Sequence, residues 1–267
     1  MRLPTYFIPH GAGPCFFMEW TRGPADTWDR TAAWLKGLAE TLPERPKAIL
    51  LVSGHWEEPV FTVGSGERPA LIFDYYGFPE ATYQLRFDAP GSPSVARRIR
   101  DLLGQAGLPA GEDAQRGYDH GVFVPLKLVT PDADVPVVQL SLRADLDPDA
   151  HLAAGRALAP LRDEGVLIVG SGMSWHNMRG FSPAFTGKSE VFDTWLSRAM
   201  TDPTRREEAI RHWSQAPYAR EAHPREEHLA PLFVAAGAAE GEPGRHAFRD
   251  VAMDVVISGY AFGEPPA

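Results

Sequence analysis

An α/β fold, a sheet covered by helices on both faces, is predicted by three features of the sequence. Short β-branched or apolar runs bounded by Gly or Pro alternate with stretches of helical periodicity, the pattern of strands carried between helices. No repeat with a period of about 20 to 50 residues recurs and no segment is low in complexity, which excludes solenoids and propellers. The 267 residues, 44 % of them hydrophobic, suffice for one large domain or two small ones. No break in composition marks a boundary, so residues 1–267 read as a single domain.

Along the chain, the first strand is read at residues 6–9. Residues 26–42 place Trp28, Ala32, Leu35, Leu38 and Leu42 three to four apart, one apolar helical stripe that Pro43 ends. A buried strand follows at 48–53. The stretch 57–90 is rich in Gly, Pro and aromatics without a clear period, and is read as long loops around a site. A second helix opens with Ser92 as its cap and Pro93 in its first position, turns Val95, Ile99, Leu102 and Leu103 inward, and stops at Gly104. A strand at 135–142 precedes a third helix, which Asp147 and Pro148 open in the same way and which runs through Leu152, Leu158 and Leu161. Strands at 166–170 and 255–258 complete the reading, with a helix between them from His228 to about Gly237.

Charge and composition remove several classes of function. Lys and Arg number 26 against 35 Asp and Glu, a formal charge of −9, the wrong sign for affinity built on neutralising phosphates, so no nucleic-acid partner is expected. The single cysteine, Cys15, can make neither an internal disulfide nor a cysteine-rich zinc site. It reads as a small buried hydrophobe. No apolar run approaches the roughly 18 residues of a membrane span, and residues 1–5 lead straight into a strand with no long apolar stretch of a signal peptide. A soluble, cytoplasmic protein with no membrane partner is expected.

The informative residues are histidines at strand ends beside glycine. His10 follows Phe7-Ile8-Pro9 and precedes Gly11; His55 closes the run from Ile49 to Gly54; His176 follows Gly170-Ser171-Gly172 in the loop Met173-Ser174-Trp175. Ligands of open α/β sheets bind outside the carboxyl ends of the strands. Neighbouring strands are about 4.8 Å apart, so three imidazoles leaving three strands there can reach one metal ion. Any one such histidine is more often structural, whereas three beside glycine are hard to explain by packing. His120 lies in Tyr118-Asp119-His120-Gly121, and His228 opens the last helix. His151, His212, His223 and His246 lack such a context and are assigned to surface or local hydrogen bonding.

Competing motifs are weak. Gly11-Ala12-Gly13 lacks the third glycine of a dinucleotide fingerprint, Gly170-Ser171-Gly172 has no P-loop lysine, and H-E-x-x-H is absent. Gly-Ser-Gly is not a hydrolase nucleophile elbow. Trp56, Tyr75, Tyr76, Phe78 and Trp175 adjoin the proposed site in sequence and either line an aromatic pocket or pack in the core.

Taken in order, Pro9-His10-Gly11-Ala12-Gly13-Pro14, Ser53-Gly54-His55-Trp56, Asp119-His120-Gly121, Gly170-Ser171-Gly172 through His176-Asn177, and Glu227-His228-Leu229-Ala230-Pro231-Leu232 resemble the DOPA dioxygenase branch of the class III extradiol ring-cleaving dioxygenases. Each motif is short, but the five in order are specific. The resemblance implies a three-layer α/β/α single domain with a mixed central sheet. It implies a non-haem metal held by His10, His55 and His228, with His176 in or beside its shell and His120 close to substrate. The chain departs from the family at Ala12-Gly13-Pro14, where His-Gly-Ser-Pro is common, and at Gly54, where Ala is commoner; neither change touches the ligands. Related ring-cleaving enzymes use a carboxylate as third ligand, whereas this chain has His228 with Glu227 adjacent, and the resemblance favours His228.

Extradiol cleavage asks for these residue types. A catechol and O2 must share one Fe(II), so the protein can supply only about three ligands. A base must take a catechol proton and an acid must return one, work suited to imidazole near neutral pH; His120 and His176 are the candidates. Trp56 and Trp175 are assigned to flanking the substrate ring. The expected substrate is a catechol such as DOPA. Zn(II) fits the same site, and the alternatives are a zinc-dependent hydrolase on this cluster or a non-catalytic binding protein of the same fold.

Overall fold

The computed structural model describes residues 1–263. Its eight strands are β1 (Thr5–Pro9), β2 (Ala48–Glu58), β3 (Phe61–Gly64), β4 (Ala110–Asp113), β5 (Val137–Arg143), β6 (Val166–Gly172), β7 (Gly244–Ala252) and β8 (Val255–Phe262). They form one sheet in the order β4-β3-β5-β2-β6-β1-β8-β7. The central strands β5, β2, β6 and β1 run parallel, while β3 and β8 join them antiparallel on the two sides, which makes the sheet mixed. The helices are α1 (Asp29–Gly37), α2 (Pro93–Gln105), α3 (His120–Val129), α4 (Pro148–Leu158), α5 (Thr186–Thr201), α6 (Arg206–Arg211), α7 (Ala219–Ala222) and α8 (Ala230–Ala238).

Two-residue alternation along the buried strands divides the core between the faces. Leu50 and Val52 point into one cluster with Ile99 of α2, Leu152 of α4 and Val234 of α8; Ile49 and Leu51 point into the other with Leu35 of α1 and Phe123 of α3. Strand runs that are apolar throughout are thus explained by burial on both sides. The helices over 93–105 and 148–158 begin as read, with Ser92 accepting from Val95 N and Asp147 from Asp149 N. The stripe over 26–42 is divided: α1 starts at Asp29 and ends at Gly37, and a 3-10 turn, Leu38–Thr41, carries the rest.

Helix α3 falls outside the sequence-based elements because it has no polar face. Nine of its ten residues are buried, and Pro125 sits inside it. Proline cannot donate to the carbonyl four residues back, that of Gly121. The hydroxyl of Ser171, at the end of β6, donates to it instead at 2.5 Å. This bond fixes the first turn of α3, and with it His120, to the carboxyl edge of the sheet.

Candidate metal centre

The parallel strands β1, β2 and β6 finish level with one another: Pro9 pairs with Gly172 and Ser53 with Ser171. His10 is the first residue beyond β1 and its amide donates to Gly172 O at 3.1 Å. His55 is not at a strand end as expected but inside β2, where the register against β5 slips between Val52 and Glu57. Such an irregularity re-aims a side chain. His228 arrives from the segment before α8, pressed on the strand ends: a Cβ on Gly54 would stand 3.0 Å from Glu227 O, and one on Gly172 would collide with His228 O. Glycine at these two positions is what lets the segment approach. His228 O also accepts from Met173 N at 3.0 Å.

Five imidazoles meet here. The His10 ring centre is 5.0 Å from His55, 5.1 Å from His228 and 5.4 Å from His120, and His55 is 4.6 Å from His228 and 4.0 Å from His120. His176 stacks on His228 at 3.4 Å. Two sets of three bring ligating atoms within 4.8 Å of one another: His10, His55 and His120, and His176, Glu227 and His228. The closest link between them joins His55 Nε2 to His228 Nε2 at 3.2 Å.

Carboxylates and carbonyls set the tautomers. His10 Nδ1 lies 3.0 Å from Gly11 O, His120 Nδ1 lies 2.8 Å from Asp74 Oδ1, and the Nδ1 atoms of His176 and His228 both face Glu227 Oε1, at 3.2 and 2.9 Å. Since these acceptors carry no proton, each Nδ1 donates and each Nε2 keeps a lone pair. Asp74 Oδ1 also accepts from the His120 amide at 2.9 Å. Its other oxygen is 3.7 Å from His55 Nδ1, beyond hydrogen-bond reach. Asp119, fully buried, accepts from Ser53 Oγ at 2.7 Å, Gln139 Nε2 at 2.5 Å and Arg116 at 3.1 Å, tying the start of α3 to β2 and β5.

Burial keeps three of the five neutral. Burial first, then the neighbouring imidazoles, holds His10 and His228 well below the usual histidine value and His55 at about 3. For Asp74 burial alone would raise the value, but the hydrogen bonds and charge of His120 prevail and hold it at about 2. Burial opposes ionisation of Glu227 too, and the bond from His176 outweighs it, so this carboxyl lies below its ordinary value. Those three are neutral imidazoles, the state in which histidine binds metal, and Glu227 orients one of them, His228. A metal fits: His10 Nε2 is buried with no hydrogen-bond partner, and the facing Nε2 atoms of His55 and His228 share at most one proton.

The cavity that the five histidines line has a volume of about 350 Å³, with Trp28, Tyr75, Tyr76, Phe78 and Phe181 among its walls. Trp56 and Trp175 are not among them, which corrects their assignment to the substrate ring. Trp56 follows His55 in a strand and so faces the other way; its indole donates to Glu58 at 2.9 Å and its ring lies 5.0 Å from the Arg116 guanidinium. Trp175 is wholly buried in the core against Phe185. Asp74 went unnoticed because the 57–90 stretch has no period to mark it; the reading of that stretch as site loops was its one signal. Part of that stretch is strand, the end of β2 and β3.

The remaining histidines make local bonds: His151 with Asp147 O and the Arg143 amide, His223 with Ser174 O, His246 with Ser197 and Ser258, and His212 with Glu208. Cys15 is buried and unpaired, its thiol pushed up by burial, as fits a small hydrophobe.

With this geometry in hand, comparison with known proteins is decisive. The family described as the catalytic LigB subunit of aromatic ring-opening dioxygenase matches residues 4–260. The chain belongs to this family. It is an extradiol ring-opening dioxygenase, metal-dependent as LigB enzymes are, with a small aromatic substrate and O2. Among curated relatives, the 4,5-DOPA dioxygenase extradiol of Beta vulgaris is 41 % identical over 239 residues, 88 % of this chain and 86 % of its own. Dioxygenase tasH of Hapsidospora irregularis is 39 % identical over 235 residues, 82 % of this chain and 72 % of its own. The crystal structure of an uncharacterised Escherichia coli K12 protein superposes with a TM-score of 0.76 at 28 % identity, over 98 % of this chain and all of that one. The three-layer α/β/α fold with a mixed sheet thus agrees with the family. No helix among the described residues is long and apolar enough to cross a membrane.

Proposed function

We propose that this LigB-family member is an Fe(II)-dependent dioxygenase that opens a catechol carrying a side chain, such as DOPA, next to its diol. The observation that carries the reading is the buried, partnerless His10 Nε2 beside His55 and His228, three imidazoles that burial holds neutral. His10, His55 and His228 would hold the metal, with His176 at its edge. Bound iron would supply the redox chemistry that lets O2 react with the catechol.

The protein's own residues handle the protons and the ring. His120 accepts a catechol proton at Nε2, and Asp74, accepting from its Nδ1, stabilises the imidazolium so formed. His176, fixed by Glu227 at the opposite side of the cluster, is the second proton carrier. Tyr75 and Phe78 enclose the flat ring; the Tyr75 hydroxyl donates to Thr82 O at 2.6 Å, which sets the plane of its ring. The LigB family and relatives named for DOPA cleavage favour oxygen chemistry over zinc-dependent hydrolysis on the same histidines.

Oxygen uptake by protein loaded anaerobically with Fe(II), run against a panel of catechols including DOPA, tests the reading. Uptake with formation of a yellow semialdehyde is expected. No uptake with any catechol by verified ferrous protein, or ester hydrolysis restored by zinc alone, contradicts it.

A further inference from the structure

One charged group on the cavity wall is not tied to the histidines. Arg22 is exposed and lines the same cavity as His10 and His228, and it makes no hydrogen bond or ion pair among the described residues. Its guanidinium stands 5.4 Å from the centre of the Phe78 ring. Phe78 packs edge-on against Tyr75 at 5.5 Å, and Tyr75 in turn lies 5.9 Å from His120. A row of rings therefore leads from the cation to the proton carrier. Stacking on an aromatic face orients a guanidinium while leaving its N–H groups free to donate.

The acids nearby do not claim it. Asp250 is paired with Arg30 at 2.6 Å, and Asp26, Asp29 and Asp254, which line the neighbouring depression with Arg22, stand beyond ion-pair distance of it. Among the described residues no Asp or Glu lines the cavity itself, and the carboxylates behind its histidines, Asp74 and Glu227, accept from imidazoles. The cavity thus offers a free cation at its mouth and no free carboxylate for an ammonium group.

We propose that Arg22 determines specificity by pairing with a carboxylate at the far end of the catechol's side chain, so that the preferred substrates are catechols with an anionic side chain and an attached amine goes unread. This rests on the catechol reading of the cavity. The step is binding alone; no bond is made or broken.

The test is anaerobic binding to the iron-loaded protein, followed by tryptophan fluorescence, with Trp28 in the cavity wall as reporter. The probes are 3-(3,4-dihydroxyphenyl)propionate, the neutral 4-propylcatechol and dopamine. The propionate should bind about tenfold more tightly than the neutral analogue, the size expected of a charge-assisted hydrogen bond, and dopamine no better than the neutral analogue. In Arg22→Gln the ratio of propionate to neutral affinity should fall to about one, and Arg22→Lys should recover part of it. The ratio is internal to each protein, so a general loss of fold moves both ligands together. Equal affinities in the wild type, or a preference that survives in Arg22→Gln, would overturn the role of Arg22 and leave the catechol reading standing. Failure of every catechol to bind would overturn both.

Discussion

The two halves of the histidine cluster are each organised by one carboxylate, but differently. Asp74 divides its oxygens: Oδ1 takes both the ring nitrogen and the amide of His120, while Oδ2 stands 3.7 Å from His55. Glu227 concentrates, taking His176 and His228 on one oxygen and leaving its buried Oε2 without a hydrogen bond. The Asp74 half thus holds one histidine firmly and leaves its neighbour freer; the Glu227 half locks a stacked pair. On the proposed roles, Asp74 serves the proton carrier His120, while Glu227 serves the metal ligand His228 together with the second proton carrier His176.

The largest expected effect is at His10 and His55, in the half that Asp74 adjoins. His10→Ala and His55→Ala should each abolish metal retention, read by metal analysis after reconstitution and desalting. A fully metallated double variant would remove the basis for assigning these ligands.

Next in size, His120→Ala should keep its iron and lose turnover by about 10²-fold or more, the usual cost of removing a general acid or base. Iron titration and a rate measurement on the same preparation decide it. Wild-type turnover with iron retained would make His120 structural.

The carboxylates sharpen the comparison. Glu227→Gln should weaken iron binding by ~10- to 100-fold, the range for partners that orient metal-bound histidines. Asp74→Asn should change iron affinity less than Glu227→Gln does and reduce turnover more. Equal effects on both quantities would mean that the halves do not differ in role.

The smallest effect lies outside both halves. Burial holds His223 at about 3, against about 6.5 in the unfolded chain. Between these values the unfolded state binds the extra proton, so the stability this neutral residue contributes is present above about pH 6.5 and lost as pH falls toward 3. The thermal midpoint should therefore drop on acidification, and less steeply in His223→Asn. An unchanged slope in that variant would contradict the assignment.

How much of this was legible in the sequence depended on whether a residue's surroundings leave a periodic trace. Strands β1, β2 and β6 are apolar runs closed by Gly or Pro, and α2 and α4 carry caps and proline at their starts, so they could be read directly. The histidines stood out because they follow such strands. Helix α3 left no amphipathic signal, being buried on all sides, and β7, a half-exposed edge strand, lacked an apolar run. Asp74 reaches the cluster from an aperiodic loop, where spacing says nothing about position. Trp56 was misjudged because adjacency to His55 in sequence means opposite faces in a strand.

The most direct test of the central claim is the fate of labelled dioxygen. Ferrous protein incubated with DOPA under ¹⁸O₂, with the product trapped and weighed by mass spectrometry, should yield a ring-opened product that has gained both atoms of O2. An unlabelled product, or one formed equally well without O2, would contradict the assignment of this cluster to extradiol cleavage.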